Sequence, residues 1–131
     1  MRENETESAK NADIGNDKTR VALAAAYKAM DDKFGRDIVM LDISKISIMA
    51  DYFIIATAGN QIQLKAIADE VMEKLRKIGV NMRHSEGYQT SKWVLLDFGF
   101  IIAHIFLKDE RELYNLEHIW NDAERISPDS L

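Results

Sequence analysis

The stretch from Trp93 to Phe106, WVLLDFGFIIAHIF, constrains this chain more than any other. It divides at Gly99. To the left, Trp93, Leu95 and Asp97 fall on one side of a strand and Val94, Leu96 and Phe98 on the other. To the right, Ile102, His104 and Phe106 alternate with Ile101, Ala103, Ile105 and Leu107. Both faces are apolar, the pattern of strands covered on both sides. A single helix competes for the run, but the mid-run glycine and the density of Ile, Val, Phe and Trp favour two strands. The reading is a hairpin turning at Phe98-Gly99-Phe100, with Gly99 supplying the positive φ of a tight turn. This hairpin is expected at the centre of the sheet.

The rest of the chain supplies a frame for it. Residues 1–16 are polar and without period, and are expected to be a disordered extension. A helix is expected from Asp17, as N-cap, to Gly35, as the C′ residue, with Leu23, Tyr27, Met30 and Phe34 as its apolar stripe. Asp37–Ile43 and Tyr52–Ala58 read as strands. The connection between them carries Ile43, Ile46, Ile48 and Met49, too apolar for a solvated loop, so it should fold over the core or sit in an interface.

Asn60 and Gln63 form a capping-box pattern for a second helix. Its buried stripe is Leu64, Ile67, Ala68, Val71, Leu75 and Ile78, and Gly79 stops it. Val80, Met82 and His84 suggest a short edge strand, followed by a loop over 85–91. A last helix is expected from Asp109, with Glu112 completing a capping box and Leu113, Leu116, Trp120 and Ala123 facing inward. These elements give one α/β domain over 17–126: a mixed five-stranded sheet with helices packed on it, and a tail over 127–131.

Several chemistries are excluded. The 131 residues hold 17 Lys and Arg against 22 Asp and Glu, a net charge of −5, so the surface repels phosphate backbones and suits a basic protein partner. With no cysteine there is no disulfide or thiolate site. No apolar run is long enough for a membrane span, and the N-terminus lacks a signal-peptide pattern, so a cytoplasmic protein is expected. His84, His104 and His118 lack partners at ligand spacing, and His104 reads as a neutral core histidine. No GxSxG elbow, phosphate-binding glycine loop or paired carboxylate on a strand is present. Neither an active site nor a cofactor is expected.

One family combines these features. Ser47–Ala58 (SIMADYFIIATA), Lys65–Asp69 (KAIAD), Glu86-Gly87, WVLLDFG with AHIF, and then Arg111, Leu113-Tyr114, Leu116-Glu117 and Trp120 resemble the ribosome silencing factors, the Iojap-related family. The resemblance runs from about Arg20 to Ala123. It implies a domain similar to nucleotidyltransferases but without their catalytic residues. It also implies binding to the large ribosomal subunit through its fourteenth protein, where it blocks joining of the small subunit when nutrients are scarce, and often a homodimer. The expected contact residues are Trp93, Leu95, Asp97, Phe100 and Tyr114, because Trp and Tyr bury much area with few rotors and an acid can meet a basic partner. Trp93 as plain core is the opposing reading. An enzyme of nucleotidyltransferase type and a dimeric adaptor unconnected with ribosomes are the alternatives. Two departures from the family pattern stand out: Phe100 where an Asp usually follows the glycine, and Ile62 where an Arg usually precedes the glutamine.

Overall fold

The structure, a computed structural model, describes residues 17–89 and 92–131. The expected N-terminal extension lies outside them, as does the end of the 85–91 loop. In chain order the elements are α1 (Asp17–Asp32), β1 (Arg36–Asp42), β2 (Tyr52–Ala58), α2 (Gln61–Lys77), β3 (His84–Glu86), β4 (Trp93–Asp97), β5 (Ile101–Leu107), α3 (Lys108–Tyr114), α4 (Leu116–Ile119) and β6 (Glu124–Ile126), followed by a 3-10 turn over Pro128–Ser130.

The sheet has six strands, not five, in the order β3-β4-β5-β2-β1-β6. Only β2 and β5 run parallel, in register from Tyr52–Ile101 to Ala58–Leu107. The centre is therefore β5 and β2, both almost wholly buried. The hairpin contributes one central strand, while β4 stands one place from the edge. The added strand, β6, pairs antiparallel with β1 through Met40–Ile126 and Asp42–Glu124.

Alternation sorts the side chains into two cores. Val94, Leu96, Ile101, Ala103 and Ile105 face α1 and α2, where they meet Leu23, Met30, Leu64, Ile67 and Leu75. Leu41, Ile43, Phe53, Ile55, Ile102 and Phe106 face the other way, under Trp93, Leu95, Leu116 and Trp120. One side of the sheet thus carries two long helices, and the other is covered by α3, α4 and the 43–51 connection.

The helix ends show where local chemistry governs. Asn60 Oδ1 accepts from Gln63 N at 2.8 Å, as the capping pattern requires. The Gln63 side chain reaches further than expected: Oε1 accepts from Gly59 N at 2.6 Å, and Nε2 donates to the Lys33 and Phe34 carbonyls, both at 3.0 Å. It ties the start of α2 to the end of α1. Gly79 takes φ +84 and closes α2 with Gly79 N to Arg76 O and Val80 N to Leu75 O, the paired bonds of a Schellman motif. Ile78, expected in the buried stripe, is 40% exposed.

At the end of α1 the same motif forms one residue earlier than expected. Phe34, not Gly35, adopts the left-handed conformation (φ 64), and its ring is 80% exposed instead of joining the stripe. Gly35 serves close approach, since a Cβ there would lie 3.0 Å from the Met30 carbonyl oxygen. Asp17 stands in the helix's first turn instead of at its cap.

The C-terminal segment departs most. A single helix from Asp109 is replaced by α3 and α4, separated by Asn115 at φ 46. Asn tolerates this conformation better than other residues with a Cβ. The break changes the helical phase: Leu116, Trp120 and Ala123 pack on the second core, but Leu113 is 74% exposed. Asp109 lies inside α3, whose N-cap, Leu107, makes no side-chain bond. The expected third strand is likewise shorter and later, with only His84 of its three alternating residues inside β3.

Candidate functional site

The second face of the sheet carries an aromatic cluster that local alternation assembles. In the β4–β5 ladder Trp93 pairs with Phe106 and Leu95 with His104, so these four side chains share one surface. Trp93 stacks on Phe106 with centroids 4.8 Å apart and meets Tyr114 of α3 at 4.7 Å. His104 lies parallel to Phe106 and presents an edge-on contact to Phe53 at 4.6 Å. Trp120 of α4 also meets Phe53, at 5.5 Å. Offset and edge contacts of this kind add about 0.5–1.5 kcal/mol per pair beyond area burial.

His104 fixes the polar arrangement within the cluster. Trp93 Nε1 donates to His104 Nδ1 at 3.0 Å, which assigns the ring proton to Nε2. The imidazole is 3% exposed and its Nε2 has no hydrogen-bond partner among the described residues. Burial pushes its pKa down from 6.5 to about 3, so the ring stays neutral. A neutral, hydrogen-bonded core histidine is what its apolar strand predicted. His84 differs: Glu86, two residues on along the exposed edge strand, meets its Nε2 at 2.8 Å, a carboxylate partner that the spacing argument overlooked. No cluster of three or more metal-ligating side chains occurs among the described residues.

The five expected contact residues are not all brought together. Trp93 and Leu95 lie half-buried on the second face, and Tyr114 adjoins Trp93 at 46% exposure. Trp93 is thus neither sealed core nor free surface. Asp97 ends β4, where its Oδ1 accepts from Gly99 N at 2.7 Å and shapes the turn. Gly99 has φ +94, as expected, and the Arg83 guanidinium lies where its Cβ would be, 2.8 Å away. Phe100 packs toward the opposite core, and its carbonyl accepts from Asp51 N and Tyr52 N. It lies on the other face of the sheet from Trp93 and at the opposite end of β4.

Exposed apolar residues around Tyr114, none of the others among the expected contacts, complete the surface. Ile46, Ile48 and Met49 on the 43–51 connection, and Leu113, Tyr114 and Ile119 on α3 and α4, are six of the eleven large apolar side chains exposed among the described residues. The segments bearing them cover this one face, which concentrates apolar exposure there. Ile43 and Ala50 anchor the connection to the second core, so the expectation that it folds back is met, with Ile48 left fully exposed.

The model of one family, described as ribosomal silencing factor during starvation, matches residues 16–131. The chain belongs to the ribosomal silencing factor family. It is 43% identical over 108 residues to the ribosomal silencing factor of Bacillus subtilis, covering 82% of this chain and 90% of that one. The chloroplastic Iojap protein of Arabidopsis thaliana is 32% identical across 88% of this chain, a match spanning 48% of the plant protein. A crystal structure from Chromobacterium violaceum superposes with a TM-score of 0.76 at 34% identity, covering 82% of this chain and 89% of the other. The resemblance read from the residues is therefore correct, and the family is one of translation-regulating factors, not enzymes. No helix among the described residues is long and apolar enough to cross a membrane.

Proposed function

We propose that this silencing factor represses translation in the cytoplasm by binding the large ribosomal subunit through its fourteenth protein, so that the small subunit is sterically blocked from joining. The observation that carries the contact assignment is the Trp93–Tyr114 pair, an aromatic anchor that is part exposed and rimmed by apolar side chains. Trp and Tyr in such a setting supply much of an interface's energy. Trp93 presents ring surface, because its indole N–H is already committed to His104. Leu95 extends the patch, and Asp97, with Phe100 bounding the turn, lies at its far end. The net charge of −5 suits a basic ribosomal protein.

Co-sedimentation with purified large subunits tests this reading. Trp93→Ala should cost about 2–4 kcal/mol of binding, about 30- to 1000-fold in affinity, with circular dichroism confirming that the variant is folded. Tyr114→Ala, which disturbs less of the core, should weaken binding about tenfold. Undiminished binding by both variants, or subunits that join at full rate beside the wild-type protein, would sink the proposal. The same apolar rim supports a homodimer competing with the ribosome, which sedimentation velocity would detect as concentration-dependent mass. The open mixed sheet with its long helices on one side is also consistent with a nucleotidyltransferase-like frame lacking catalytic groups.

A further inference from the structure

At the end of the sheet opposite the Phe98–Phe100 turn, a cavity of about 810 Å³ opens between the start of β1, the end of β2 and α3. Crevices beyond the carboxyl ends of parallel strands are where open α/β sheets receive ligands, and β2 and β5 are this sheet's parallel pair. The volume lies within the range of small-molecule sites.

The lining is polar in a way the rest of the interior is not. Only three polar or charged residues are buried among those described, and two of them, Thr57 and Arg111, line this cavity. Arg111 Nη1 donates to Thr57 Oγ1 at 2.8 Å, while Nε and Nη2 grip the Glu117 carboxylate at 3.3 and 2.8 Å. That pair is internally neutralised. Around it stand Arg36, Lys108 and Arg125, all exposed and none within ion-pair distance of a carboxylate among the described residues, although Arg125 adds to the field that lowers the Glu117 pKa. Three exposed cations gathered on a protein of net charge −5 run against its general surface.

Two further carboxylates qualify the anion. Asp37 and Glu112 line the same cavity without ion-pair partners among the described residues. Asp37 is placed there by backbone distortion: it takes φ +51 inside β1, where the register slips between Arg36 and Val39. A bulge of this kind re-aims a side chain, and a non-glycine residue held at positive φ carries backbone strain that the fold must offset elsewhere. Bare phosphate would meet the cations but would be repelled by these acids. A ligand that also carries hydroxyl groups would donate to them. No aromatic side chain among the described residues lines the cavity, so nothing there selects a stacked base.

We propose that this cavity is a binding site for a phosphorylated sugar, its phosphate held by Arg36, Lys108 and Arg125 and its hydroxyls donating to Asp37 and Glu112. The proposal is independent of ribosome binding. The full chain is titrated with ribose 5-phosphate by calorimetry at low ionic strength, with inorganic phosphate and ribose as parallel arms. Saturable binding of ribose 5-phosphate is expected, at least about tenfold tighter than inorganic phosphate, with ribose alone not registering. Arg36→Gln and Lys108→Gln, both at exposed positions, should each weaken it about tenfold, whereas Lys77→Gln at the far end of α2 should not. Absence of saturation, or an equal loss with Lys77→Gln, overturns the site. Inorganic phosphate binding as tightly as ribose 5-phosphate overturns the hydroxyl contacts.

Discussion

Replacing Trp93 by Phe isolates one hydrogen bond in the aromatic cluster. The smaller ring can still stack on Phe106 and reach Tyr114, but it cannot donate to His104. Because the imidazole is 3% exposed and its Nε2 already lacks a partner among the described residues, both of its nitrogens are then stranded away from water. Orphaning a buried acceptor costs about 1–3 kcal/mol, more than the bond contributes when made. The reciprocal change, His104→Phe, leaves the N–H on a half-buried indole, where water is nearer, so its cost should be smaller. In the double variant no stranded polar group remains. The cycle therefore predicts a double variant more stable than the summed single costs imply, by about 1–2 kcal/mol. Urea denaturation of the four proteins measures this, with parallel thermal shifts of about 4 °C per kcal/mol for a domain of this size. Strictly additive costs would refute the reasoning, showing that the Trp93–His104 contact is packing alone.

The same histidine predicts an acid sensitivity. It is neutral when folded but takes up a proton below about pH 6.5 when unfolded, so its contribution is intact above that value and falls toward pH 3. Between pH 7 and pH 5 wild type should lose about 2 kcal/mol more than His104→Phe, read from denaturation at each pH; parallel curves would contradict it. Glu117→Gln should destabilise the fold by about 2–3 kcal/mol, less than breaking a fully buried pair because Glu117 retains some exposure. Arg111 also holds the Glu117 carboxyl below its ordinary pKa, so that ion pair is lost as acid is added. Gly99→Ala should cost about 1–3 kcal/mol, since it strains φ +94 and displaces the Arg83 guanidinium, with thermal melting as the check.

What was legible in the sequence is what short-range chemistry decides. Period-two alternation assigned both faces of β4 and β5 correctly, and Gly79 and Gly99 marked real left-handed turns. Gly35 misled because glycine serves close approach as well as positive φ, and here Phe34 supplies the latter. The spacing of Leu113, Leu116, Trp120 and Ala123 fits one helix so well that nothing in it reports the break at Asn115. The strand β6 was invisible for another reason: three residues, two of them charged, form it only because the β1 edge offers them unpaired backbone groups. Within the candidate site, residue types pointed to Trp93, Leu95 and Tyr114. Phe100, an apolar residue where the family usually carries an Asp, does not join them, because the turn sends its ring to the helical side. The cavity around Arg111 combines residues from both halves of the chain and left no local signature.

The unequal cladding of the sheet bears on how the protein moves. The flank under α1 and α2 is backed by long, continuous hydrogen-bonded rods, whereas the opposite flank is roofed by two short turns of helix and an irregular strap. Thermal openings that admit solvent should begin beneath that thinner roof. A partner settling there would act as a lid as well as a neighbour, slowing amide exchange in Phe53, His104 and Phe106 while leaving the amides behind the rods almost unchanged.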